Sequence, residues 1–468
     1  MLMPLAQVFP ALQAAAQQRA PLVLGDRTPR AAEAWAARVA ALSARIAQRD
    51  ETRWLLWLPH FEDFVTALFA VWHAGRIPVL PPNFQPDMAL ELADACDAVL
   101  AEDASIATVK PCLMVHAVDA PAVDAPDFPE AALTPFDASA AQLVLYTSGS
   151  TDRPKAVVKK LAQLEAEIAV LEQLWGAQCG DRPVLGTVPH HHIYGLLFRI
   201  LWPLAAGRST IAAVAATPTE LSCAWQAHGQ CVLISSPTHL SRLPDLVDVP
   251  AWSGRYAAVF SSGAPFPEMP ARALAAAWAT PVQEVYGSSE TGGIAWRHAA
   301  QPGYPCWTPL PGLTVRQSAQ QTLEIVSPFL PDTQPFTSAD RVEFAADGSF
   351  RLCGRIDRVV KIEGKRASLE QIEALLRRHA WIREAAVIVL QQPRQCLAAV
   401  VVPSGEGKVA LARGRGLVAK QLRQFAHEAI DAVLVPRRWR FVEQMPVDER
   451  GKLPLHHLER LFDTEASA

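Results

Sequence analysis

The chain has 468 residues, 50% of them hydrophobic and 19% charged, with a net charge of −4; it can bury a large core in two or more domains and lacks the clustered basic excess of a nucleic-acid-binding surface. Its eight cysteines are scattered with no C-x-x-C pair, which in a chain of this length reads as reduced thiols rather than a disulfide framework or zinc site. The N-terminal stretch has no positive charge before Arg19, and no apolar run reaches the roughly 18 residues of a membrane span, so the expectation is a soluble cytoplasmic protein with no membrane span.

The first half alternates short apolar runs with helix-period segments, the pattern of an α/β domain. Trp54 to Leu58 reads as a buried strand, Phe61 to His73 as a helix ending at Gly75, and Ile77 to Leu80 as a strand closed by Pro81-Pro82. Residues 118–136, rich in Ala, Pro and Asp, read as a surface connection. Leu161, Leu164, Ile168, Leu171 and Trp175 recur at spacings of 3 and 4, which predicts a helix running to Gly176. Val184 to Val188 and Cys231 to Ile234 are further strands. Near residue 353 the character changes. There follow a strand (Val359 to Ile362), a helix opening on a Ser368/Gln371 capping box, a hairpin (Ala386 to Leu390 and Cys396 to Val402), a helix from about Leu417 to Val433 and a strand near Trp439 to Val442. The expected architecture is a large N-terminal α/β domain of layered sheets and helices, residues 1–353, plus a small mobile C-terminal α+β domain, residues 354–468.

The segment Leu145-Tyr-Thr-Ser-Gly-Ser-Thr-Asp-Arg-Pro-Lys155 is the most informative stretch. A strand hands over to five small residues, Thr147 to Thr151, and a lysine follows four positions later. Small residues let backbone N–H groups converge, hydroxyls add donors and Lys155 adds charge, which suits a phosphate chain. It is no Walker A loop: Pro154 stands where the second glycine belongs, and Ala156 gives no hydroxyl for magnesium. In Val285-Tyr-Gly-Ser-Ser-Glu290 a strand turns and presents a carboxylate, the hard ligand Mg²⁺ prefers beside phosphates; alone it also reads as a turn with an exposed glutamate. Gly354 to Gly364 gathers charge between two strands, and Gly451-Lys452-Leu-Pro454 puts a lysine on a turn. His190-His191-His192 is not a metal motif, because three adjacent side chains do not converge easily on one ion.

Taken in order, these segments resemble the adenylate-forming superfamily of acyl- and aryl-CoA synthetases, peptide-synthetase adenylation domains and luciferases, over residues 50–455. The stretches that carry the resemblance are TSGSTDRPK (147–155), VPHHHIYGL (188–196), SSGAPF (261–266), YGSSE (286–290), SAD (338–340), GRIDRVVKIEGKRASLEQIE (354–373) and GKLP (451–454). The resemblance implies that Thr147, Ser148, Gly149, Ser150, Thr151 and Lys155 hold the β- and γ-phosphates of ATP. It places Gly263, Ala264, Pro265 and Tyr286 around the adenine, Gly287 and Ser288 among the ATP-binding residues, Ser289 at the α-phosphate and Glu290 on Mg²⁺. Asp340 would take the ribose hydroxyls with Arg355 assisting, and Lys452 would bridge the substrate carboxylate and the α-phosphate. His192, Tyr194, Gly195 and Ser236 would line the acid pocket, Asp357 would be the hinge, and Lys361 and Gly364 would face the acceptor thiol. Asp152 and Ala156 depart from the family's glycines.

The implied reaction joins a small carboxylic acid, with an aryl acid preferred to a medium or hydroxylated acyl chain, to AMP and then to CoA or the phosphopantetheine of an acyl carrier protein. The other readings are a non-catalytic paralogue acting as a binding or sensor module, and an adenylate-former that passes the acyl group to an amine or oxidises it.

Overall fold

The computed structural model describes residues 2–14, 23–24, 32–103, 106, 110–115, 133–147, 154–299, 306–362, 365–390, 395–448 and 453–463. They form two compact units: Met1–Thr314 with Val326–Gln334, and Val315–Ile325 with Pro335–Ala468. The antiparallel sheet that carries Asp340 therefore clusters with the C-terminal unit, ahead of residue 353. Most of the expected connection at 118–136 lies outside the described residues.

The large unit is built on two mainly parallel sheets. The first has six strands in the order Cys112–Met114, Ala98–Ala101, Arg53–Trp57, Ile77–Leu80, Gln142–Thr147, Lys155–Lys160, and only the last runs antiparallel to its neighbour. The second has eight, with Thr210–Val214, Val184–Gly186, Cys231–Ser235, Tyr256–Ser262 and Val282–Ser288 parallel in its middle and Gly292–His298 returning antiparallel. Continuous apolar strands such as Trp54-Leu-Leu-Trp57 and Cys231-Val-Leu-Ile234 are what a sheet covered on both faces requires. Alternate residues face opposite sides: Trp54 and Leu56 join the largest core, whereas Leu55 and Trp57 pack with Val79 and Val99. That largest core draws Leu143 and Leu145 from one sheet, Ile234 and Phe260 from the other, and the helices Phe61–His73 and Leu161–Cys179.

The helix at Phe61–His73 is buried nearly all round, and two of its polar residues bond inside the core: Asp63 accepts from Arg38 at 2.7 Å and Thr66 Oγ1 from Trp35 Nε1 at 2.9 Å. The chain leaves it through Gly75 at φ +67°, a left-handed conformation that suits glycine. The 161-helix extends past the expected Gly176 to Cys179.

The second unit holds a four-stranded sheet ordered Thr314–Gln317, Thr322–Val326, Phe336–Phe344, Phe350–Arg355, a ribbon of Val359–Ile362 with Lys365–Ser368, and a three-stranded sheet of Ile382–Leu390, Cys396–Pro403 and Arg438–Phe441. The central strand Cys396–Pro403 is buried on both faces: Leu397, Ala399 and Val401 pack with the helices Leu369–Arg377 and Arg415–His427, and Ala398, Val400 and Val402 with Leu458 and Phe462 of the last helix, Leu455–Asp463. Ser368 caps its helix by accepting from Gln371 N, one half of the expected box. The helix expected from about Leu417 to Val433 is Arg415–His427, ending earlier and followed by a short 3₁₀ turn at Ala432–Leu434, and a further helix not expected from the sequence, Gly405–Ala412, precedes it. Ser404 caps this further helix through Gly407 N, and Gly414 at φ +138° breaks the pair. Among the described residues no helix is long and apolar enough to cross a membrane.

Candidate active site

Strand ends position the candidate residues of the large unit. Gln142–Thr147 and Lys155–Lys160 pair antiparallel, which sets Thr147 opposite Lys155. Ser148, Gly149, Ser150 and Thr151 lie outside the described residues, as does Asp152. Ala156 sits exposed and extended in the second strand, opposite Tyr146, where a Cβ is accommodated without strain. Lys155 Nζ reaches across 135 residues of sequence to Glu290 Oε1 at 2.9 Å. Burial works against ionisation of Glu290, but the hydrogen bond from Lys155 helps outweigh it and holds the carboxyl below its ordinary range. An ionised, half-buried carboxylate beside a lysine is a donor suited to a hard divalent cation on a nucleotide.

Glu290 sits in the turn between Val282–Ser288 and Gly292–His298. Ser288 and Thr291 close that turn: Thr291 N donates to Ser288 Oγ at 3.2 Å, and Ser288 N to Thr291 Oγ1 at 3.2 Å. A Cβ on Gly287 would lie 2.2 Å from Gly292 O, so glycine is required there. Ser289 is half-buried.

Because Tyr256–Ser262 runs parallel to Val282–Ser288 with Ser262 opposite Val285, the loop Gly263, Ala264, Pro265 emerges beside Tyr286. Ser262 Oγ donates to Val285 O at 2.8 Å, and the three loop residues are exposed. Gly263 takes φ +98°. Below this edge lies a buried ion pair, Arg297 Nε to Glu284 Oε2 at 2.7 Å, whose other carboxylate oxygen accepts from Phe266 N at 3.0 Å. The Arg297 guanidinium lies 4.3 Å from the Trp307 ring, which in turn packs 5.5 Å from Tyr286.

The histidine stretch forms the start of a helix with a π-turn, Ile193–Gly195 followed by Leu196–Leu201. His190 packs against Phe61 and Phe64, His191 against Phe84, and His192 lies 4.1 Å from His191. Burial holds His190 well below its ordinary value, and so neutral. A Cβ on Gly195 would lie 1.9 Å from Pro189 O. The Tyr194 hydroxyl is enclosed, which raises its phenol well above the ordinary value, and it lies against the backbone of Ser235. Ser236 is buried beside it in sequence and meets His239 Nδ1 at 3.1 Å. Arg199, fully buried one turn on, donates to Val188 O at 2.7 Å and to the carbonyls of residues 211–213, fixing this stretch to the neighbouring strand.

In the second unit Asp340 and Arg355 face each other across paired strands, with Arg355 Nη1 donating to Asp340 Oδ1 at 3.3 Å. Ser338 Oγ accepts from Asp340 N. Glu370 accepts from Arg355 N and occupies the space a Cβ would take on Gly354. Asp357 lies in a single 3₁₀ turn, Ile356–Arg358, and Lys361 in the strand Val359–Ile362. Gly364 and Lys452 lie outside the described residues.

Sequence reasoning missed Glu284, Arg297 and Trp307, and two buried charges beneath the Glu290 turn. Lys159 Nζ donates to Glu290 O at 2.7 Å and to Phe329 O at 3.0 Å; Glu167 Oε1 accepts from Gly293 N at 2.7 Å. Burial pushes Glu167 up to about 7, against the pull of the Gly293 N–H and Lys159, and lowers Lys159. The signal was present in the pattern: Glu167 falls on the Leu164/Ile168/Leu171 stripe, and Lys159 shares the inward face of Val157.

Residues 13–331 match the AMP-binding enzyme family and residues 371–452 its C-terminal domain family. The chain is 32% identical over 320 residues to a 4-coumarate–CoA ligase of Rhodobacter capsulatus, covering 67% of this chain and 74% of that protein, and 28% identical over 315 residues to one of Cereibacter sphaeroides, covering 67% and 70%. The fold is similar to that of ATP-bound MatB from Rhodopseudomonas palustris, with a TM-score of 0.79 at 20% identity over 99% of both chains. It is also similar to a benzoate CoA ligase from Burkholderia xenovorans, with a TM-score of 0.74 at 20% identity over 96% of this chain and 99% of that one.

Proposed function

The chain belongs to the AMP-binding enzyme family, and from that premise we propose that it is an AMP-forming ligase that activates an aryl carboxylic acid with ATP and passes the acyl group to a pantetheine thiol, the end group shared by CoA and an acyl carrier protein. The observation that supports this reading is the contact between Lys155, which follows the Ser/Thr/Gly segment in the sequence, and Glu290. The likeness to 4-coumarate–CoA ligases supports an aryl acid, and the eight free thiols suit the reducing cytoplasm.

In this reading Thr147 to Thr151 and Lys155 hold the outer phosphates, and Tyr286 with Gly263, Ala264 and Pro265 takes the adenine. Asp340, with Arg355 beside it, accepts both ribose hydroxyls, as an ionised carboxylate can. Glu290 would hold Mg²⁺, which when bound neutralises phosphate charge. A carboxylate oxygen of the acid bonds to the α-phosphorus as the bond to pyrophosphate breaks; Ser289 donates to the α-phosphate and Lys452 neutralises the two anions as they meet. The thiolate, its proton lost to solvent, then attacks the acyl carbon and the C–O bond to AMP breaks. The small domain turns about Asp357 between the two steps, exchanging Lys452 for the Lys361–Gly364 segment, the kind of hinge motion that lets one domain serve two half-reactions.

ATP–pyrophosphate exchange with benzoate, 4-coumarate and octanoate tests this. Exchange is expected with an aryl acid, and Lys452→Ala should abolish it while still converting pre-made acyl adenylate to thioester. Exchange with none of the acids would favour the binding-module reading, which the departures at Asp152 and Ala156 motivate.

A further inference from the structure

Beneath the Glu290 turn the large unit buries two charged side chains that the chemistry above does not use. Lys159 is 2% exposed and Glu167 3% exposed, and burying ions is costly unless each is hydrogen-bonded. Both are, and each spends a bond on the same turn. The Lys159 ammonium donates to the carbonyl oxygen of Glu290 itself, and the Glu167 carboxylate accepts from Gly293 N, three residues later. Glu167 also fills the space above the glycine pair: a Cβ on Gly292, at φ +70°, would lie 2.3 Å from Glu167 Oε2, and one on Gly293 3.1 Å from Oε1. The second Lys159 bond goes to Phe329 O, which Gln163 Nε2 also serves at 3.1 Å. Loss of the ammonium therefore falls chiefly on Glu290.

We infer that Lys159 and Glu167 are positioning residues that fix the backbone of the Glu290 turn from the protein interior, and so set the affinity of the site for the metal–nucleotide. The inference rests on the ligase reading above. Neither side chain faces the candidate substrate groups: Lys159 holds the carbonyl end of Glu290 and Glu167 the far side of the turn, so that the carboxylate meeting Lys155 is presented from a backbone held at both ends. Without these two side chains the turn is closed from the strand side, by the Ser288–Thr291 bonds and the pairing of Ser288 with Gly292, and the carboxylate has more room to swing. In near-attack geometry, displacements of about 1 Å cost about 10²-fold in rate.

The test is steady-state ATP–pyrophosphate exchange with Lys159→Met, Glu167→Leu and Glu167→Gln in the full chain, with thermal melting to verify folding. K159M and E167L should raise the KM for MgATP at least about tenfold and raise the Mg²⁺ concentration for half-maximal rate, while the KM for the acid stays within about twofold. E167Q keeps an oxygen acceptor for Gly293 N and should recover most of the loss seen in E167L. A merely structural role would move melting temperature and both KM values together. Folded K159M and E167L with MgATP KM within about twofold of the parent would overturn the inference, as would a parallel rise in the KM for the acid. If K159M does not fold, the E167L and E167Q pair decides. If the parent chain shows no exchange with any acid, the ligase reading falls instead, and calorimetric titration of parent and variants with MgATP still decides whether the turn is positioned by these two residues.

Discussion

The buried pair of Glu284 and Arg297 links the structural core to the candidate adenine edge, and Glu284→Gln tests that link. The two residues face each other across antiparallel strands, 3% and 8% exposed, with Arg297 Nε 2.7 Å from Glu284 Oε2. The variant keeps the side-chain shape and an oxygen acceptor for Phe266 N, which avoids a loss of about 1 kcal/mol for that bond. It removes the negative charge opposite the guanidinium. Breaking a buried ion pair from one side costs about 3–5 kcal/mol. At a urea slope of about 3 kcal/mol per molar, the unfolding midpoint should fall by about 1–1.7 M, read by tryptophan fluorescence; Trp307, stacked on Arg297 and 7% exposed, reports locally. Because the pair also holds the end of the 263–266 loop and the ring behind Tyr286, the KM for ATP should rise. The double variant Glu284→Met/Arg297→Met should be more stable than E284Q, since an apolar pair leaves no buried charge. A midpoint within about 0.3 M of the parent for E284Q would refute the reasoning.

The remaining predictions concern single groups. Glu167 is raised from 4.5 to about 7 by burial, so the folded state binds more protons than the unfolded one between those values. Its contribution is full below about pH 4.5 and lost as pH rises through 7, about 3 kcal/mol in all at 1.36 kcal/mol per unit, with Lys159 as the facing charge; the stability of E167Q relative to the parent should therefore improve from pH 5 to pH 8, and a pH-independent difference in urea midpoint would contradict this. Glu290→Gln should lower pyrophosphate exchange by about 10²–10³-fold, with near-parental activity the contrary result. Burial raises the Cys96 thiol to about 11 and that of Cys179 to about 12 while Cys223 is exposed, so Cys223→Ala should remove the fastest phase of thiol labelling by Ellman's reagent at pH 8.

The elements most legible in the sequence were those whose period was undisturbed. Phe61–His73 and Ile77–Leu80 match their expected ends because glycine and proline punctuate them. The helix at 405–412 was not legible, since Gly405 and Gly407 in its first turn are poor helix formers and read as a loop. Of the candidate site, the sequence drew attention to Lys155, Glu290, Asp340 and Arg355 because charged residues stand out beside short Ser/Thr/Gly segments. It hid the supporting layer. Glu284 and Lys159 are strand residues whose partners lie 13 and 131 positions away, and only the folded sheet brings these together. The pairing of Asp340 with Arg355 follows from strand register, which no local pattern encodes.

The most direct measurement is a crystal structure of the chain with Mg²⁺ and α,β-methylene ATP. The account predicts one nucleotide, with its triphosphate along Thr147–Lys155, its adenine between the Gly263–Pro265 loop and Tyr286, its ribose on Asp340 and the metal on Glu290. A nucleotide bound elsewhere, or bound with Glu290 and Asp340 in separate cavities, would contradict it.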